Sequence, residues 1–210
     1  MKKRPQIEIN HLQSEAKLVG MPLCGVSCVE KGGLSAPDPE YLKRWQEAGY
    51  GADMSYMHRS VAERCDATFH HDWVRSVVSF AIPYSSSPPK GKVPTGYGQV
   101  ARYAWGRDYH RVLKKKLQRL GDTLKKNLSQ DFNWRPISDS FPLLERAFAK
   151  KAKLGFVGKN TMLIRPKLGS FFFLAEVLTD LEIIGKPLEE STGGCGTCSR
   201  CIQELSLIHI

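Results

Sequence analysis

Three cysteines, Cys195, Cys198 and Cys201, stand at two-residue gaps in the stretch GGCGTCSRC. C-x2-C-x2-C opens the C-x2-C-x2-C-x3-C run whose thiolates wrap an iron–sulfur cubane, because tight spacing lets one loop face several irons. The final x3 step lands on Leu205 instead of a fourth cysteine. A zinc knuckle that adds His209 to the three thiolates is the competing arrangement. The remaining thiols are scattered: Cys24 and Cys28 fall in an apolar stretch and suit a core, and Cys65 stands alone.

A second candidate is ARYAWGRDYHRVLKKKL. Arg102, Arg107, Arg111 and Lys114 to Lys116 alternate there with Tyr103, Trp105 and Tyr109. Cations interleaved with aromatic rings suit RNA or a large planar or anionic ligand, and equally a solvated basic helix face. A third is SDSFPLLERAFAKKAKLGFVGKNTMLI. Asp139 lies between two serines before a helical pattern, where it can cap free backbone N–H groups or, beside a pocket, donate a proton. The segment GFVGKN has glycines that allow close approach to a phosphate, but it lacks the Walker spacing.

These residues need a scaffold. The pattern predicts an amphipathic helix over residues 7–19 and a first strand in MPLCGVSCVE. A helix in SAPDPEYLKRWQEAG ends at Gly49 as C-cap. WVRSVVSFAIPY is β-branched and predicts a buried strand, and SSSPPKGKVPTGYG predicts a loop. Leu113, Leu117, Leu120, Leu124 and Leu128 recur at helical spacing and predict a long helix with Asp108 as N-cap. LLERAFAKKA predicts another helix; TMLIRP and SFFFLAEVL predict strands separated by a turn at Lys167–Gly169. The expected fold class is α+β, an α/β sandwich, followed by a small cysteine module beyond a polar linker.

The 210 residues suffice for one large domain and the start of another. At 41% hydrophobic and 25% charged residues the composition is that of a soluble globular protein, and no apolar run is long enough to cross a bilayer. Glu8, His11 and Glu15 interrupt any signal-peptide core, so a cytoplasmic protein with reduced thiols is expected. The net charge of +10 favours a polyanionic partner.

Taken together, RYAWGRDYH, SDSFPLLERAFAKKAKLGFVGKNTMLI, GSFFFLAEV and CGTCSRC, in this order and spacing, resemble the epoxyqueuosine reductases. The resemblance extends from the first helix to about Gln203. It implies a cobalamin-binding core over residues 1–190, related to that of reductive dehalogenases. It also implies the beginning of a ferredoxin-like module with [4Fe–4S] clusters over residues 191–210. The implied reaction is reduction of epoxyqueuosine to queuosine at the tRNA wobble position. An external electron donor and a monomeric protein are expected. By the same resemblance Asp139 is the proton donor and also a cofactor contact. Arg64, Ala101, Leu163 and Leu174 contact cobalamin, and Cys195, Cys198 and Cys201 bind a cluster. Arg146, Lys159 and Asn160 match motif positions near the pocket.

The chain departs from the family after Gln203, where ELSLIHI replaces the expected CP continuation. The resemblance therefore implies a fragment that ends inside the first cluster motif, without the second cysteine set and the helical-repeat segment. Two other functions share some of these features. A corrinoid reductive dehalogenase shares the core, although a small halocarbon needs no polycationic surface. A zinc-knuckle RNA-binding protein shares the cysteines and the charge.

Overall fold

The computed structural model describes residues 4–29, 33–84, 93–186, 188–189 and 193–204. The chain opens with β1 (Gln6–Glu8) and α1 (Ile9–Leu18), then β2 (Leu23–Cys28), α2 (Asp38–Glu47) and the short α3 (Val61–Cys65). The strand β3 (Ser76–Pro83) leads by way of a 3-10 turn at Arg102–Ala104 to α4 (Tyr109–Leu128). After β4 (Trp134–Ile137) come α5 (Glu145–Lys151), β5 (Phe156–Val157), β6 (Leu163–Ile164), β7 (Phe172–Thr179), β8 (Glu182–Ile184) and α6 (Arg200–Gln203).

The centre is a four-stranded antiparallel sheet in the order β2-β3-β7-β4. β1 and β8 form a separate parallel pair, and β5 and β6 form a hairpin. Alternation of side chains along each strand sends two apolar sets to opposite faces. Val78, Phe80, Ala175 and Val177 pack on one face against Leu12 and Ala16 of α1 and Leu113, Leu117, Leu120 and Leu124 of α4. Val77 and Leu178 pack on the other with Phe148 of α5. Helices thus cover both faces of an antiparallel sheet, in keeping with the α+β sandwich expected from the sequence. Each fully buried leucine of α4 contributes on the order of 2 kcal/mol.

The long helix begins where expected: the Asp108 side chain accepts a hydrogen bond from the His110 N–H. Close approach to the sheet is made possible by Gly121, where an added Cβ would lie 2.6 Å from Nε1 of Trp134. That indole is fixed in turn, donating to the Leu117 carbonyl at 2.9 Å.

Several expectations change. Residues 7 and 8 of the predicted first helix belong to strand β1, because the backbone of Gln6–Glu8 pairs with β8, a partner 176 residues away at Gln6↔Glu182. β4 and β8 lack a strong alternating pattern and are defined by pairing instead. Cys24 is buried, but Cys28, at the strand end, is exposed and is not a core residue. Residues 85–92 of the predicted Pro/Gly/Ser loop lie outside the described residues, as does His209. No described helix is long and apolar enough to cross a membrane.

Candidate active site

Asp139 sits just beyond the end of edge strand β4, at φ +52°. The register pairs Ile137 with Glu176, so its continuation brings Asp139 beside Leu174 of β7. Ser138 marks the approach with a long hydrogen bond to the Leu174 carbonyl at 3.4 Å. Asp139 does not cap α5, contrary to the simplest sequence expectation: the residue before that helix is Leu144, five positions later. The relation is reversed. Glu145, in the first turn of α5, accepts the backbone N–H of Asp139 at 2.7 Å.

The start of α4 supplies the partners of the Asp139 carboxylate. Tyr109 donates its hydroxyl to Oδ2, and His110 Nε2 lies 3.2 Å from the same oxygen. The other ring nitrogen of His110 faces Asp108 Oδ1 at 3.0 Å. Both nitrogens can donate at once only when the ring is protonated. Tyr109 is fixed by stacking on Phe173, with centroids 4.2 Å apart. Burial and the Asp139 hydrogen bond push its hydroxyl far above the usual range, so it stays a donor. Asp139 itself remains half exposed, at 50% of its side-chain surface, and is accessible to a substrate.

A cavity of about 700 Å³ opens here, with Asp139, Glu145, Arg64, Tyr56 and Arg146 among its lining residues. Arg64 comes from α3, and its backbone carbonyl accepts the Leu144 N–H at 3.0 Å. One guanidinium nitrogen donates to the Tyr56 carbonyl at 2.7 Å, while buried Nε has no partner among the described residues. That free N–H fits the amide-rich edge of a corrin. Leu163 and Leu174 meet in one apolar cluster with Ala81, Ala149 and Phe172, a surface suited to packing rather than to ligation. Ala101 is exposed and precedes the 3-10 turn.

GFVGKN is a hairpin and not a phosphate loop. Gly158 N–H bonds to Met162, and Asn160 accepts the Met162 N–H at 3.2 Å. Arg146 closes the hairpin by donating to the Thr161 carbonyl at 2.7 Å. Lys159 reaches the cysteine loop instead. Its backbone N–H lies 3.4 Å from Cys195 Sγ, and its ammonium donates to the carbonyls of Gly196 and Cys198 at 2.8 and 3.0 Å. Cys198 N–H turns back to the Cys195 carbonyl, and Cys201 lies in α6. Among the described residues no three His, Cys, Asp or Glu side chains are grouped closely enough to hold a metal ion.

The sequence singled out Asp139 and Arg64 through the family resemblance and Tyr109 only as one aromatic among cations, and it passed over His110 and Glu145 as parts of helical patterns. Glu176 was overlooked too, although a lone carboxylate inside FFFLAEVL is a signal in itself.

Comparison with known proteins gives this geometry a context. The family model described as "Epoxyqueuosine reductase QueG, DUF1730" matches residues 64–140, which include Arg64, Ala101 and Asp139. The epoxyqueuosine reductase of Leadbetterella byssophila is 36% identical over 192 residues, covering 91% of this chain and 60% of that relative. Over most of its length the chain is similar to the epoxyqueuosine reductases. It spans little more than half the length of the family members it matches. An epoxyqueuosine reductase solved with an epoxyqueuosine-modified tRNA-Tyr stem loop superposes with a TM-score of 0.79 at 28% identity, covering 93% of this chain and 50% of that one. An epoxyqueuosine reductase from Bacillus subtilis, solved with its catalytic aspartate loop swung out of the active site, gives a TM-score of 0.75 at 28% identity, with coverages of 93% and 50%. A reductive dehalogenase whose structure suggests a B12-dependent mechanism shares the fold at 16% identity, with a TM-score of 0.51 and coverages of 94% and 23%.

Proposed function

We propose that this chain forms the substrate-reducing core of an epoxyqueuosine reductase that converts epoxyqueuosine to queuosine in tRNA. The observation behind this reading is the Asp139 carboxylate, held by Tyr109 and His110 at the rim of the cavity that Arg64 lines. The epoxide-reducing relatives and the complex with a modified tRNA stem loop support the reaction and the substrate.

Epoxide opening places negative charge on an oxygen, and a positioned acid must quench it. Asp139 takes that role. Tyr109 and His110 fix the carboxyl, and Asp108 orients the imidazole through its second nitrogen. Glu145 holds the backbone from below. Cobalamin, supported by the dehalogenase fold, would lie along Arg64, Ala101, Asp139, Leu163 and Leu174 and supply electrons when bound. Arg64 would hold it through its guanidinium, and the leucines would keep water out.

Residues 1–190 form this core, and residues 191–210 begin an iron–sulfur module. Cys195, Cys198 and Cys201 would supply three ligands of a [4Fe–4S] cluster once the loop is drawn round it, and an external electron donor would feed that cluster. Lys159 keeps that loop against the core. The reading also makes the protein a cytoplasmic monomer, its basic surface meeting tRNA phosphates.

The test takes the full product of the reading frame, reconstituted anaerobically with cobalamin, iron and sulfide. Incubation with reductant and an epoxyqueuosine-containing anticodon stem loop should yield queuosine by mass spectrometry of the nucleosides. Corrinoid uptake without any loss of the epoxide oxygen would overturn the proposal.

A further inference from the structure

Beneath Asp139 the sheet buries a carboxyl group that the reaction described above does not use. Glu176 of β7 is fully buried, and neither of its oxygens has an aligned hydrogen-bond partner among the described residues. Its cross-strand neighbour on β3 is Ser79, which is equally buried and whose hydroxyl also lacks a partner. Residues paired across antiparallel strands share a face. The helix packed on that face is α5, which touches both β3 and β7. Glu145, in its first turn, acts on Glu176 at close range. Glu145 in turn holds the Asp139 N–H. A line of carboxyls therefore runs from the middle of the sheet to the cavity: Glu176, Glu145, Asp139.

Such groups are costly to bury charged and unpaired. A sheet interior that places two unpartnered polar side chains side by side, next to a third carboxyl, suits a stored proton rather than apolar packing. We propose that Glu145 and Glu176 form a proton store that resupplies Asp139 from inside the protein. The inference rests on the reduction proposed above.

The stoichiometry requires such a source. Reducing an epoxide to an alkene breaks two C–O bonds, forms one C=C bond and releases the oxygen as water. Two electrons, from the external low-potential donor, and two protons are consumed. Asp139 delivers one proton. Once that proton has gone to the oxygen, the Asp139 carboxylate takes the second from Glu145, which is refilled from Glu176. The electrostatics of the pair agree with the geometry. Burial, and after it the Asp139 charge, push Glu145 up to about 7; burial and Glu145 push Glu176 well above the usual carboxylate range. The other groups facing this line are Tyr109 on α4, which senses both Asp139 and Glu145, and Arg64 on α3, which shares the cavity.

The experiment compares wild type with Glu176→Gln, which keeps the shape of the neutral acid but cannot release a proton. Infrared spectra of the chain with isotope-labelled glutamate, without cofactor or substrate, should show a protonated-carboxyl C=O band near neutral pH that is clearly weaker in the variant. In the reconstituted holoenzyme the variant should keep KM while kcat falls roughly tenfold on the basic side of the profile, one lost proton-transfer step being worth about that much or more. Glu176→Asp should recover part of the loss. The absence of a protonated-carboxyl band in the wild type would overturn the store, and so would a kcat profile of Glu176→Gln that superimposes on that of the wild type. Since the infrared measurement needs no turnover, it separates failure of the store from failure of the proposed reduction. Should Glu176→Gln not fold, Glu145→Gln provides the same infrared comparison.

Discussion

The Asp139 backbone N–H donates to Glu145 Oε1 at 2.7 Å, so the proposed proton donor is held by the helix that follows it. With φ at +52° Asp139 occupies the left-handed region, which a non-glycine residue keeps only when its surroundings enforce it. Glu145 from below and Tyr109 and His110 from the side provide that enforcement.

Replacing Asp139 by Asn should leave corrinoid uptake intact, because Asn keeps the shape of the side chain and the other contacts, Arg64, Ala101, Leu163 and Leu174, are untouched. Turnover of the reconstituted enzyme should fall by about 10²–10⁴, the usual contribution of a positioned general acid. Stopped-flow kinetics alongside corrinoid absorbance checks both halves.

Glu145 makes stability depend on pH. Its folded pKa, about 7, lies above the ordinary value of 4.5, so between these values the folded state holds a proton that the unfolded chain has lost. Stability from this group is complete below the ordinary value and declines as pH rises toward 7. Glu145→Gln still accepts the Asp139 N–H and removes the penalty. Urea denaturation should show a flatter profile for the variant, with a gain of roughly 1–3 kcal/mol above pH 7.

Gly121→Ala improves helix propensity by about 1 kcal/mol. It should nonetheless destabilise the protein, because the new Cβ meets the Trp134 indole, which is tied to the Leu117 carbonyl. Overpacking of this kind costs about 1–3 kcal/mol. A lower thermal midpoint for Gly121→Ala, and none for an exposed Lys115→Ala control, is the expected result.

Lys159→Met removes two ammonium bonds to the cysteine loop but keeps the backbone contact with Cys195. Alkylation of Cys195 and Cys198 should become several-fold faster, while Cys24, buried with its thiol pushed far up by burial, stays unreactive. Mass spectrometry of a timed alkylation reads both.

Affinity for an anticodon stem loop should fall linearly on a log–log plot against salt, since each neutralised phosphate releases counterions. Lys114→Ala or Arg111→Ala should lower the slope by about one if either residue touches a phosphate. Fluorescence anisotropy over a salt series measures it.

The sequence by itself determined the elements whose signals are local. Leucine spacing and Asp108 defined α4, and β-branched runs defined β3 and β7. The combined motifs pointed to the family, and through them Asp139 and Arg64 were named as site candidates. Only the tertiary structure decided what depends on neighbours distant in the chain. β1, β4 and β8 are strands because other strands complete their hydrogen bonds. Asp139 is not a helix cap, because the chain takes five more residues to reach α5. Lys159 faces the cysteine loop 36 residues on, and Glu176 meets Glu145 through the packing of a helix on a sheet. Propensity and periodicity describe one segment at a time, whereas a site is a convergence of segments. That convergence follows from which faces must be buried together, and it placed an acid, its holders and a buried carboxyl pair on one line.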